Sequence, residues 1–171
     1  MDQKEFIKVI SPFKDRLYRL AKRLLVSNEE AEDATQEVLV KLWNNKAKLE
    51  SYSSVEALAM TMTKNYCLDQ LKSKRATEMR IVHSNYTDRQ AGLQQQAEDR
   101  DSWEWAEKIM ETLPEQQKLI LQMRDIEQYE FEEIAKIMDM NETAVRVALS
   151  RARKTMREEL LKTHRYGITN N

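Results

Sequence analysis

The sequence predicts an all-α protein of two small helical domains joined by a flexible linker. Three observations carry that reading. Only two glycines and two prolines occur in 171 residues, whereas sandwiches and barrels need many tight turns made from those residues. Apolar residues recur at intervals of three and four along most of the chain, the spacing of a buried helix face. From about Arg80 to Ser102 that periodicity stops, in a polar stretch holding Gly92, the run Gln94 to Gln96 and the acidic run Glu98 to Asp101. The chain therefore divides into a first domain over residues 1–80, a linker over 81–102, a second domain over 103–165 and a tail over 166–171.

In the first domain Phe6, Ile7, Ile10, Phe13, Leu17, Leu20, Ala21, Leu24 and Leu25 form one amphipathic face, with Pro12 placed to bend or restart the helix. Ser27 followed by Glu30 reads as a capping box that opens a second helix. Ala31, Ala34, Val38 and Leu42 make its apolar stripe, widened by Leu39 and Trp43, and it ends near Leu49. Its other face carries Asp33, Gln36, Glu37 and Lys41. After a polar loop, Glu50 to Ser53, the pair Ser53 and Glu56 predicts a third helix through about Arg75.

In the second domain Trp105, Ile109 and Leu113 share a face, and Pro114 suits the first turn of a helix running through Leu119, Ile120, Met123 and Ile126. Phe131 to Met138, a turn at Asp139 to Asn141, and a last helix from Glu142 to about Lys162 with Asn141 as its N-cap read as a helix-turn-helix. Ile134, Ala135, Met138 and Met140 are expected to pack inside with Val145 and Leu149.

A formal net charge of -1 gives no bulk-charge argument for nucleic acid. The distribution is uneven: +3 over residues 1–80, -5 over 81–115 and +5 over 143–165. On the last helix Thr143, Arg146, Ser150, Arg153 and Lys154 share or adjoin one face. Arg146 suits a bidentate contact to guanine, and Arg151, Arg153 and Lys154 suit phosphate. The single cysteine, Cys67, offers neither a disulfide framework nor a zinc cluster and reads as core. Nowhere do about eighteen apolar residues run together, so a cytoplasmic protein without membrane insertion is expected.

Catalysis is disfavoured. The carboxylates Glu29, Glu30, Asp33 and Glu37 lack a Glu-x-x-His companion, and the two histidines, His83 and His164, fall in the linker and the tail. No cofactor or metal is expected. A dimeric helix-turn-helix regulator would explain the second half but leaves the Asp33 to Trp43 face unused.

The stretch LPEQQKLILQMRDIEQYEFEEIAKIMDMNETAVRVALSRARKTM resembles region four of extracytoplasmic-function sigma factors of the sigma-70 family. It departs from the pattern at Asp139, where Gly is usual, at Ala148 for a frequent Arg, and at Glu130 for a Ser or Thr cap. AEDATQEVLVKLW resembles region two of that family, with Asp33, Gln36, Glu37, Leu39 and Trp43 in the expected positions. The third helix, ALAMTMTKNYCLDQLKSKR, is similar to the element that melts and reads the minus-ten region, with Lys64, Asn65, Asp69, Leu71 and Lys72 on the pattern and Leu58 and Thr61 replacing a Trp and an Arg.

The resemblance implies that Asp33, Gln36 and Glu37 dock on the beta-prime subunit of core RNA polymerase. It implies that Tyr52, Lys64, Asn65, Lys72, Lys74 and Arg75 meet the minus-ten DNA, Tyr52 by stacking on an unpaired base. The helix-turn-helix, with Thr143, Arg146, Ser150, Arg151, Arg153 and Lys154, would bind the minus-thirty-five element and the beta flap. Promoter recognition and melting in transcription initiation are the implied function. The implied partners are core polymerase, promoter DNA and an anti-sigma factor, and the free chain is expected to be a monomer.

Overall fold

The computed structural model describes residues 1–82 and 102–168, with side chains over 1–78 and 102–162. The expected linker lies outside the described residues except at its ends, where residues 81 and 82 close one helix and Ser102 opens the next; no side chain of the expected tail is described. Among the described residues the secondary structure is entirely helical and turn.

The first half comprises α1 (Gln3–Ile10), α2 (Lys14–Leu25), α3 (Asn28–Asn44), a 3-10 turn (Lys46–Ser51) and α4 (Val55–Val82). Asp2 and Glu5 cap α1 reciprocally, each carboxylate accepting the other's backbone N–H at 2.8 Å. Pro12 restarts the helix rather than bending it, and Phe13 becomes the N-cap of α2. The Ser27 hydroxyl accepts the Glu30 N–H at 3.4 Å, while the Glu30 carboxylate pairs with Lys74 of α4. α3 ends at Asn44, short of Leu49, because the Asn45 backbone and side-chain amides both turn back onto the Lys41 carbonyl. Leu49 still reaches the core, at 1% exposure, from the 3-10 turn. The cap of α4 is Ser54, one residue beyond the expected Ser53; its hydroxyl accepts the Ala57 N–H at 3.1 Å.

The second half comprises α5 (Ser102–Thr112), α6 (Glu115–Leu121), a π turn (Gln122–Ile126), α7 (Phe131–Met138) and α8 (Glu142–Ile168). Where a regular helix through Ile126 is expected, the Glu127 N–H bonds five residues back to the Gln122 carbonyl at 3.0 Å, and Gln128 follows at φ 62°. This widened turn swings Gln122, Glu127 and Tyr129 toward the first half. The helix-turn-helix forms as expected. Asp139 takes the left-handed conformation at φ 52°, ψ 51°, which Asp tolerates better than most residues. The Asn141 side chain caps α8 by accepting the Ala144 N–H at 2.7 Å.

α2 is the hub. Leu17, Leu20, Ala21 and Leu24 turn one face of it onto α3 and α4, and it also packs against α6 and the π turn, while α4 meets α7. Buried residues of both halves form one continuous apolar cluster. Cys67 belongs to it, and burial pushes its thiol up to about 12.

The link from α2 to α3 is strained. Val26 sits at φ 66°, ψ -33°, and the Ser27 N–H bonds the Leu25 carbonyl at 2.8 Å across it. A β-branched residue is sterically penalised there and glycine is not. Because the Val26 side chain is half exposed, little packing is lost on removing it. Val26→Gly is expected to stabilise the fold by about 0.5–1 kcal/mol, strain relief less the added chain entropy, and to raise Tm in a thermal melt; a lower Tm contradicts this account of the turn.

Candidate functional site

α8 buries Val145, Ala148, Leu149 and Ala152 along one side. At 100° per residue the opposite side is centred on Thr143, Val147, Ser150 and Lys154, all exposed. Arg151 flanks it toward α6, where it helps line an open cleft of about 440 Å³ with Gln116, Gln117 and Thr143. Arg146 flanks it toward α7. Its guanidinium lies 4.0 Å from the Phe131 ring centroid and 3.8 Å from the Glu142 carboxylate. Arg124 lies 4.4 Å from the same ring. A guanidinium over a ring face is attracted by the ring quadrupole.

Arg153, expected to lie on phosphate, is instead tied along the surface to the π turn. Its Nε donates to Asp125 at 3.0 Å and its Nη2 donates to the other oxygen, and this hydrogen bonding raises its pKa further. Arg153 thus ties α8 to the π turn. Lys154 remains exposed, with Glu158 at 3.9 Å.

On α3 the residues Asp33, Gln36 and Glu37 are exposed along one stripe, and Glu37 has Lys41 at 3.5 Å. Val40, 54% exposed, continues the same stripe. The face is therefore acidic and amide-bearing with one apolar spot.

The residues expected to meet melted DNA are brought only partly together. Tyr52, Asn65 and Lys72 are exposed, while Lys74 is held by Glu30. Two point into the second half. Lys64 Nζ donates to the Ile137 carbonyl of α7 at 2.8 Å, and burial lowers the pKa of its ammonium while Asp139 partly restores it. Arg75 pairs with Glu115 at the start of α6. Tyr66 is half-buried beneath Lys41, whose Nζ lies 5.3 Å from the ring centroid.

A polar cluster between the halves was not anticipated. Arg16, Arg19 and Arg23 form a cationic stripe on α2. Arg19 Nε and Nη2 donate to the two Glu127 oxygens at 2.6 and 2.8 Å, which raises the Arg19 pKa. Arg23 Nε donates to Gln122 at 2.9 Å, and its Nη2 to Glu107 at 3.3 Å. Arg16 donates to Glu56 at 2.7 Å, and the Tyr129 hydroxyl donates to the same carboxylate. Burial, then this bond, raises the Tyr129 pKa. The legible signal was the three-and-four spacing of the arginines; their partners, 40 to 108 residues away, were not legible. The apolar residues Val40 and Val147 on otherwise polar faces were also passed over.

Among the described residues no group of three or more His, Cys, Asp or Glu side chains could hold a metal, and no helix is long and apolar enough to cross a membrane.

Residues 9–77 match the family described as Sigma-70 region 2, and residues 103–156 match Sigma-70, region 4. The chain is similar to a protein described as a probable RNA polymerase sigma factor, RfaY, of Xanthomonas campestris pv. campestris: 30% identical over 138 residues, 77% of this chain and 34% of that protein. It is also similar to the ECF RNA polymerase sigma factor SigE of Mycolicibacterium smegmatis, 28% identical over 154 residues, 86% of this chain and 58% of that protein. The chain thus spans only a third to under three fifths of the length of these relatives. Its fold matches the sigma factor RpoE of Bartonella quintana, solved with the anti-sigma factor NepR, at TM-score 0.72 and 24% identity over 93% of this chain and 98% of that one. It matches CnrH, solved with the cytosolic domain of CnrY, at TM-score 0.66 and 15% identity over 93% and 89%. With region 2 and region 4 in order on the two helical halves, the chain belongs to the sigma-70 family, in its extracytoplasmic-function type.

Proposed function

We propose that this chain binds core RNA polymerase and directs it to promoters, α3 docking on the enzyme, α8 reading the upstream element and α4 engaging the melted strand. The observation that carries the reading is the pairing of two exposed faces of opposite character, the acidic stripe of α3 on region 2 and the basic face of α8 on region 4. An acidic, amide-bearing surface suits a basic protein partner, and a basic helix entering the major groove suits promoter DNA. The chain works as a binding and positioning subunit, without catalysis of its own, in the cytoplasm where transcription occurs. An anti-sigma partner is proposed by likeness to RpoE, which was solved with one.

On α8, Thr143 and Ser150 supply hydroxyls to the groove, Val147 offers an apolar contact for a thymine methyl, and Arg151 and Lys154 reach phosphate. Arg146, its guanidinium over the Phe131 ring, presents its donors to a base edge.

Reversing Asp33 and Glu37 to Lys is expected to weaken core-polymerase binding by well over tenfold, since like charges facing across an interface cost several kcal/mol. Helix content by circular dichroism should stay the same because both residues are exposed. Undiminished affinity in a polymerase titration would remove α3 as the docking face.

Reading and grip on α8 should separate. Arg146→Ala is expected to relax preference at one upstream promoter position, by about 1–3 kcal/mol. Lys154→Ala should weaken all promoters about equally and lower the salt slope by about one unit. Holoenzyme binding to single-base promoter variants at several salt concentrations measures both; a uniform loss across variants for Arg146→Ala refutes base readout.

A further inference from the structure

The N-terminal end of the exposed side of α8 carries an apolar strip. Val147 is 44% exposed, and with Met140, Ala144 and Ala148 it lines the cleft between α6 and α8. Ala144 lies three residues before Val147 and four before Ala148, so the strip follows one side of the helix over about one turn. Its side chains are short, which lets a partner approach the helix backbone closely. Arg151 stands on the cleft side of the strip, Arg146 on the α7 side and Lys154 further along, all exposed. A lone exposed valine needs no explanation; a strip walled by cations does. Its occupant must carry a small apolar feature with negative charge to either side. Thymine in the major groove has that form, because its C5 methyl projects from the base edge between two phosphate backbones.

We propose that α8 selects its upstream element by thymine methyl groups on adjacent base pairs, one against Val147 and the next against Ala144. This rests on the placement of α8 in the major groove made above. The rise of about 4.5 Å between the two residues is close to one base-pair step of about 3.4 Å, so they meet neighbouring pairs. Thr143, exposed beside Ala144, supplies a hydroxyl that donates to thymine O4. The other bases are rejected by what they leave unpaired. Guanine and adenine would turn N7 and the group beside it toward aliphatic side chains, and cytosine its amino group. A polar group desolvated without a partner is penalised, which adds to the lost methyl contact. Arg146, on the other flank, keeps its guanine contact at a separate position.

The test uses core polymerase with the full-length chain and a duplex promoter selected by that holoenzyme from a pool randomised over the upstream element. Each thymine of the selected element is replaced in turn by deoxyuridine, which removes the methyl and leaves pairing and charge intact. Two adjacent replacements are expected to weaken binding roughly threefold to fivefold each, the worth of one buried methyl. In Val147→Ala one of the two losses should disappear, and in Val147→Ile it should persist. Both variants should keep the parental helix content, since position 147 is exposed. An element without adjacent thymines, a deoxyuridine scan with no loss, or equal losses in the parent and Val147→Ala overturns the proposal. A separate arm tests the placement beneath it: Arg151→Ala with Lys154→Ala must lower the salt slope of promoter binding by about two units. If the slope falls while deoxyuridine does nothing, α8 lies on the DNA and the thymine reading is wrong. If the slope does not change, the placement of α8 fails and the proposal fails with it.

Discussion

The arrangement of the two halves turns on one carboxylate. The Glu127 side chain is 3% exposed, and an ionised carboxylate so placed is tolerable only when its oxygens are paired. Arg19 supplies two donors in a fork, Arg16 stands 3.8 Å away, and Gln122 Nε2 adds a third bond at 3.3 Å. A fork of this kind fixes orientation as well as distance. It adds little net stability over an apolar contact of the same shape, but it admits only one register between α2 and the turn that follows α6. The neighbouring contacts obey that register: Arg23 meets Gln122, and Arg16 and Tyr129 converge on Glu56.

From that register follow the positions of the working surfaces. α2 gives its apolar stripe to α3 and α4 and its cationic stripe to the second half, so α3 must lie on the side away from the seam. Its acidic face is left to solvent. α4, packed beside α2, is carried against α7 and loses part of its basic face to the carbonyls there. α8 packs on α5, α6 and α7, so its outer face stays clear. One pairing thus leaves two surfaces open and one covered.

Much of the fold was legible because its signals are local. Apolar spacing and cap residues located the helices, although one stripe from Phe6 to Leu25 spans both α1 and α2 and α4 runs on past Arg75 to Val82, and Asn141 and Asp139 acted at the turn by their own side-chain chemistry. The misplacements are local too. Ser53 and Ser54 are equivalent as caps until the chain direction is known, and Asn45 stops α3 through bonds that a periodicity argument does not contain. The π turn escaped notice for a different reason: Gln122 to Ile126 has an ordinary helical pattern, and only the demand to seat Glu127 on Arg19 widens it. The candidate residues divide along the same line. Thr143, Ser150 and Lys154 lie where helical spacing puts them, whereas Arg153, Lys64 and Arg75 are claimed by Asp125, Ile137 and Glu115, partners set only by tertiary packing.

The same accounting shows that a net charge of -1 is compatible with the DNA binding proposed above. Affinity for DNA depends on cations that are free to displace counterions from phosphate, not on the sum over the sequence. Arg16, Arg19, Arg23, Lys74, Arg75 and Arg153 are each matched to a carboxylate within the fold. Arg146, Arg151 and Lys154 stay exposed on α8, as Lys72 does on α4. The acidic residues that bring the total near zero are therefore not opposed to nucleic-acid binding. Under the proposed function, they decide which basic residues are left to take part in it.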